Sequence, residues 1–380
     1  MIKYALKDNI LAEGKIAQAA SNVLKGYKSP FSSTIVKLLD DKFLHVNMDE
    51  FGMGSFGVHS AYGPVSLNGK VAGGSSSGCA AAVKQDYCEV GIGTDTGGSI
   101  RLPAAFCELI GFKPSYGRIS RYGVITYAQS LDTVGLLSKS LSKIQSTFQL
   151  LDKYDPNDHT SIATKFRSTR SAARKKLKIG IPKNIDNRVF RKASLEFAAK
   201  QNIDLIDVEL PYFDFGLACY YIISTAEAFS ALNRYTGLLY PEVEHSRTFE
   251  QQTNATRARF GIEVKNRLEL GSFVLNNHEF DAWFLQAAKI RRLIQNDYTK
   301  AFTLVDYILM PTTLQTPPLV KDVLDPKIED YESDSFTVGP SLAGLPTLSF
   351  PFDQMSFQIS GPHLSDYQLL WDYDNHCTSE

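Results

Sequence analysis

An α/β fold is predicted for this 380-residue chain from three observations. Stretches with helical periodicity alternate with short apolar runs of strand character, and glycine-rich connections join them. The third is that 43% hydrophobic residues suffice to bury a substantial core. Forty basic side chains against 41 acidic ones leave a net charge of −1, which gives no sign of a nucleic-acid or membrane surface. The five cysteines (Cys79, Cys88, Cys107, Cys219 and Cys377) are odd in number and form no CxxC pair. A disulfide framework and a structural zinc are therefore disfavoured. No apolar run reads as long enough to span a bilayer. The start, MIKYALKDNI, shows neither a signal-peptide core nor an Arg-rich transit sequence.

The elements follow in order. Residues 13–25 and 34–41 have helical periodicity, and 43–46 (FLHV) reads as a short strand. SSGCAAAVKQ is alanine-rich with serines available to cap it, so a helix is expected there. CEVGIG at 88–93 is a strand running into a glycine-rich loop, and LPAAF a short helix or turn after it. The segment 155–177 reads as a linker between a first part, 1–155, and a second α/β part, 177–380, within a single domain. Its basic portion, 165–178, is a solvated linker or helix, with an RNA-facing patch as the other reading. KIGIPK and IDLIDVEL open the second part as strands. Helical patterns cover 216–236 and 250–302, the latter with Gly271 as a break. VDYILMP and TLSFPF read as buried strands, and DYQLLWDY as a terminal helix.

The chemistry concentrates in GTDTGGSIR at 93–101. A phosphate cradle fits poorly. GGSSSG at 73–78 lacks the GK[ST] ending of a P-loop, and the GxGxxG match at 52–57 has no acidic residue placed for a ribose. A flexible linker fits no better, because both glycine-rich runs adjoin core-forming segments. A nucleophile loop explains more. Backbone N–H groups at Thr96, Gly97, Gly98 and Ser99 can converge on a developing oxyanion, and the glycines leave that space open to a substrate. A serine hydroxyl needs a base. The nearest histidines, His45 and His59, stand in ordinary packing or surface contexts. Lys7, just after an apolar pair, could serve if burial kept it neutral, and Ser75, 24 residues before Ser99, could relay the proton. Composition alone does not select this trio.

The run GGSSSGCAAAV followed by GIGTDTGGSIRLPAAFCELIGFKPSYGRIS resembles the amidase signature family. The resemblance implies that family's fold, a large mixed twisted β-sheet covered by helices on both sides, and a Ser–cis-Ser–Lys triad. Ser99 is then the acyl-forming nucleophile, Ser75 the bridging serine with a cis peptide, and Lys7 the base. The oxyanion donors are the amides at 96–99. Asp95 and Arg101 also match, and are read as a structural pair holding the loop. Ser76 and Ser77 are read as capping the helix and bonding the loop.

Further segments narrow the likeness: HVNMDEFGMGS, YGRISRYGVITYAQSLDTVG, DPNDHTS, EVKNRLELGSF, KIRRLIQNDY and YESDSFTVGPSLAGLP. They resemble the A subunits of glutamyl-tRNA(Gln) amidotransferases, which hydrolyse glutamine and pass ammonia to a B-type partner. The implied substrate contacts are Arg267 to the α-carboxylate and Asp334 to the α-ammonium of glutamine. No cofactor is implied in this chain. ATP and Mg²⁺ belong to the partner, which amidates Glu-tRNA(Gln). The short approach to Lys7 and the trimmed end resemble the reduced fungal mitochondrial form, which works as a heterotrimer with the B-type partner plus a small third subunit. The same resemblance implies a mitochondrial location, with the cytoplasm as the alternative. Two other functions stay open: a free-standing amidase for a small amide, and a non-catalytic scaffold subunit of the same fold.

Overall fold

Ten strands, drawn from both ends of the chain, pair into one mixed sheet. Tyr4–Lys7, Val90–Asp95 and Thr133–Ser138 are buried at every position, as strands covered on both faces must be. The spatial order is Phe43–Val46, Tyr4–Lys7, Val90–Asp95, Thr133–Ser138, Ile110–Lys113, Thr347–Phe352, Met355–Ser360, Tyr307–Thr313, Lys178–Pro182, Asp204–Val208. The first three run parallel to one another, as do the last three, and the pairings between these two groups are antiparallel. Successive residues of a strand point to opposite faces. Leu136 joins the cluster with Ile144 and Phe148 of helix Leu141–Leu151, whereas Leu137 joins the one with Ala80 and Val83 of helix Ser77–Lys84. Helices therefore cover both faces. The computed structural model describes residues 2–39, 43–166, 174, 176–239, 248–325 and 327–377. Much of the basic stretch 165–178, and with it any RNA-facing patch, lies outside the described residues.

Three expectations about elements are corrected. Residues 13–25 form no α-helix, only the 3₁₀ turn Asn22–Leu24. Asp8 takes their backbone donors instead, its carboxylate accepting from Gln18 N–H at 3.2 Å and Ala20 N–H at 2.9 Å, and Ala19 and Ala20 sit at positive φ. The pattern over 250–302 divides into Phe249–Arg257, Ile262–Val274 and Phe284–Ala301. Gly271 breaks nothing. A Cβ there would lie 2.1 Å from Thr225 O, so the glycine lets its helix close on Gly216–Leu232. Finally, the segment Phe213–Leu232 is long and apolar enough, by length and composition alone, to cross a membrane. Its apolarity serves the core: Cys219, Tyr220, Ile223 and Leu232 are buried with Val264 of helix Ile262–Val274 and with Ala287 and Ile294 of helix Phe284–Ala301.

Candidate active site

Three neighbouring structures carry the proposed triad. Lys7 ends strand Tyr4–Lys7, Ser75 directly precedes the turn into helix Ser77–Lys84, and Ser99 lies between strand Val90–Asp95 and helix Arg101–Phe106. The Gly74–Ser75 peptide is cis. All three side chains are buried, Lys7 completely. Lys7 Nζ lies 2.7 Å from Ser75 Oγ, 3.0 Å from Thr94 Oγ1 and 3.1 Å from Thr94 O. Burial pushes its pKa down to about 8, against the upward pull of Cys79, Asp49, Asp95 and Asp132. A lysine in that state gives up its proton as the pH passes about 8, well below the range of an exposed lysine.

Among the described residues no hydrogen bond joins the hydroxyls of Ser75 and Ser99. The two loops are held side by side through their backbones, Ser76 N–H donating to Ser99 O at 3.2 Å. The N–H of Ile100 goes to Asp95 Oδ2 at 3.1 Å, whereas those of Thr96, Gly97, Gly98 and Ser99 meet no acceptor among the described residues. Thr96 contributes its hydroxyl, which donates to Asp132 Oδ1 at 2.8 Å and ties the loop to the sheet. Four consecutive unpartnered amides in a buried loop can stabilise an oxyanion.

Asp95 and Arg101 form a fully buried two-point pair, Nη2 to Oδ1 at 2.9 Å and Nε to Oδ2 at 3.0 Å. Burial pushes the Asp95 pKa up, but Arg101, Lys113 and the Ile100 N–H outweigh it and hold the carboxyl below its usual range. The remaining Arg101 donors reach Thr337 O, Gln358 Oε1 and Ser341 Oγ, so the pair pins the loop to the C-terminal part. Two loop expectations need correction. Ser76 and Ser77 do not cap the helix through their side chains: Ser76 Oγ donates to Thr94 O at 3.2 Å, and Ser77 Oγ has no partner among the described residues. Nor do Gly97 and Gly98 leave open space. A Cβ on Gly97 would lie 2.5 Å from Tyr220 Cζ, and one on Gly98 2.4 Å from Thr337 Oγ1. These glycines admit neighbouring side chains, and the loop is clamped by them.

Arg267 and Asp334 are both buried, and Tyr221 links them. Its ring centroid lies 5.1 Å from the Arg267 guanidinium, and its hydroxyl donates to Asp334 Oδ2 at 2.9 Å. Ser55 Oγ donates to the same oxygen at 2.9 Å. Arg267 also donates to Glu263 Oε1 at 2.7 Å and to Tyr127 Oη at 2.7 Å. Burial works against its charge, yet Tyr127, Glu263 and Tyr221 outweigh that and push its pKa up. Burial raises the pKa of Asp334, against the bonds from Ser55 and Tyr221. Glu263, Arg267, Ser55, His59 and Tyr331 border a cavity of about 20 Å³, room for about one water. A much larger cleft, about 660 Å³, is lined by Tyr116, Arg291, Arg292, Leu345 and His363 and holds none of the predicted site residues. Volume and chemistry disagree here, and the candidate site is taken at the buried, bonded side chains.

Thr94, Tyr127, Tyr221 and Glu263 escaped the sequence reading. Thr94 sits inside the loop motif itself, one residue before Asp95, and its position was a usable signal. Tyr221 and Glu263 reach the site through the packing of their helices, and Tyr127 from the irregular segment ahead of strand Thr133–Ser138. Cys79, Cys88, Cys107, Cys219 and Cys377 are free and buried.

The amidase family model matches residues 2–370. This chain belongs to the amidase family. Among its relatives, the mitochondrial glutamyl-tRNA(Gln) amidotransferase A subunit of Eremothecium gossypii is 39% identical over 96% of this amidase and 88% of its own length. The corresponding protein of Thermodesulfovibrio yellowstonii is 38% identical over 92% of the chain and 76% of its own. The crystal structure of the glutamyl-tRNA(Gln) amidotransferase A subunit from Thermotoga maritima superposes with a TM-score of 0.79 at 30% identity, covering 99% of this chain and 83% of that one. The mixed ten-stranded sheet is thus the amidase fold that the sequence resemblance implied.

Proposed function

We propose that the chain is the glutamine-hydrolysing A subunit of a glutamyl-tRNA(Gln) amidotransferase. One observation carries the chemistry: the buried amine of Lys7 lies 2.7 Å from Ser75 Oγ, beside a serine loop with free amides. In this reading neutral Lys7 draws a proton from Ser75, which takes one from Ser99 as that hydroxyl attacks the side-chain carboxamide of glutamine. Such catalytic hydrogen bonds tighten when substrate arrives, which is when Ser99 comes within reach of Ser75. The amides of 96–99 hold the oxyanion, the proton returns to the leaving nitrogen, and ammonia departs. Water then attacks the γ-glutamyl ester on Ser99 and releases glutamate. Arg267 holds the α-carboxylate and Asp334 the α-ammonium. Admitting both requires the walls of the small Arg267 cavity to give way.

Every step uses groups of this chain. ATP and Mg²⁺ act in the B-type partner, which activates the glutamate of Glu-tRNA(Gln) and receives the ammonia, and a small third subunit completes the assembly. The names of the fungal relatives from Eremothecium gossypii and Emericella nidulans support a mitochondrial location. The test is ammonia release from glutamine by wild type and Ser99→Ala, each with and without a co-purified B-type partner. Partner-stimulated release abolished by the substitution is expected. Equal release by the two proteins would remove Ser99 from the mechanism.

A further inference from the structure

Two adjacent side chains, Glu50 and Phe51, grip two adjacent residues at the start of the helix that carries Arg267. Glu50 is buried; its Oε2 accepts from the Gly261 N–H at 2.7 Å and its Oε1 from the Ser21 hydroxyl. Phe51, left-handed at φ 52°, sets its ring edge-on to Phe260 with centroids 5.7 Å apart. Gly261 is the N-cap of Ile262–Val274. A Cβ on it would lie 2.4 Å from Glu50 Oε2, so only glycine allows this approach. The opposite side of the same turn faces the triad. Asp49 N–H donates to Ser75 O at 3.1 Å, and a Cβ on Gly52 would lie 3.7 Å from Ser75 Oγ. Residues 49–52 thus span from the proton-transferring serine to the Arg267 helix.

We infer that Glu50 is a positioning residue: its carboxyl fixes the start of the Ile262–Val274 helix against the 49–52 turn and so sets where Arg267 meets the substrate carboxylate. The inference rests on the reading of Arg267 given above. Arg267 lies six residues beyond Gly261, about 9 Å along the helix at 1.5 Å per residue, so a small tilt at the anchored end displaces its guanidinium. Displacements of an ångström at such a clamp cost up to about 10²-fold in rate. Phe51 holds the same end independently, which limits the loss. Burial also pushes the Glu50 pKa up to about 7, against Ser21, Gly261 and Lys265. An uncharged side chain that still accepts from Gly261 is therefore tolerated.

Steady-state glutamine hydrolysis by the full chain, co-expressed with its partner subunits, tests this with Glu50→Ala, Glu50→Gln, Arg267→Ala and the Glu50→Ala/Arg267→Ala double variant. Glu50→Ala is expected to raise KM about 10-fold, with a smaller change in kcat, and Glu50→Gln to restore most of it. In the Arg267→Ala background Glu50→Ala should add nothing. If Glu50→Ala does not fold, Gly261→Ala breaks the same contact from the helix side and should raise KM in its place. An equal cost of losing the contact with and without Arg267, or a fall in kcat at unchanged KM, would mean a merely structural role and overturn the inference. An unchanged KM in Arg267→Ala alone would instead overturn the assignment of Arg267, and the inference through its premise.

Discussion

Thr94 takes two of the three hydrogens that Lys7 can offer, one at its carbonyl, 3.1 Å away, and one at its hydroxyl, 3.0 Å away. As an ammonium, Lys7 gives its third hydrogen to Ser75. As a neutral amine it has only two, and with both held by Thr94 its lone pair is left for the Ser75 hydroxyl to donate into. The two threonine contacts therefore decide which way the Lys7–Ser75 bond runs once the lysine is neutral. Asn9 Nδ2 donates to the same threonine hydroxyl at 3.1 Å and holds it in place.

Thr94→Val removes one of those acceptors at nearly constant volume. Losing one such bond, worth about 1.5 kcal/mol, should lower kcat/KM for glutamine about 10-fold, while Thr94→Ser stays near wild type. Steady-state kinetics on the two variants decides this, and wild-type rates for Thr94→Val would detach Thr94 from the proton transfer.

A pH dependence follows from Lys7. In the proposed mechanism the reactive form is the neutral amine, so kcat/KM should rise as the lysine loses its proton, with a midpoint near its pKa of about 8, and level off above it. Below the midpoint the slope should approach about tenfold per pH unit. Lys7→Arg keeps a cation that stays protonated in water and should cost about 10³-fold or more at any pH between 6 and 9. A profile that is flat across that range in the wild type would exclude Lys7 as the titrating base.

The clamped loop gives a third expectation. Gly97→Ala places a methyl group 2.5 Å from the Tyr220 ring carbon that bears the hydroxyl, and Tyr220 is buried and unable to retreat. The loop must shift, and its amides shift with it. Displacing one oxyanion donor costs about 10²–10³-fold in kcat, so rapid-quench measurement of acylation should show a loss of that order with KM little changed. Acylation at the wild-type rate would mean that the amides of 96–99 do not hold the oxyanion.

This loop also marks how far the sequence could be read. Ser75, Ser99, Asp95 and Arg101 lie in two short motifs whose spacing is fixed by the chain, so their grouping was legible. Lys7 is distant in sequence and became legible only through the family resemblance, because nothing local distinguishes a lysine that ends a buried strand from one at the surface. Arg267 and Asp334 were placed in the same way, but the tyrosines between them were not, since Tyr221 enters from a helix whose register depends on packing. Periodicity misled at 13–25, where the Asp8 carboxylate competes for the helix's own N–H groups, and at Gly271, where a glycine read as a break serves a close helix crossing. Both failures have one cause: a distant partner outweighs a local preference, and a single sequence does not display that partner.

Asp95 and Arg101 give a prediction about stability. Neither side chain is accessible, and Arg101 joins the nucleophile loop to Thr337, Ser341 and Gln358. Arg101→Met leaves the Asp95 carboxylate buried beside unpaired acceptors, which should cost about 3–5 kcal/mol of unfolding free energy. Asp95→Asn keeps the shape but strands the guanidinium, with a similar loss. In the double variant no isolated charge remains, so its loss should fall well short of the sum of the two single losses. Urea unfolding midpoints of the four proteins measure this directly. Additivity within about 0.5 kcal/mol would mean that the two residues act independently, and that the loop is held by the other Arg101 contacts alone.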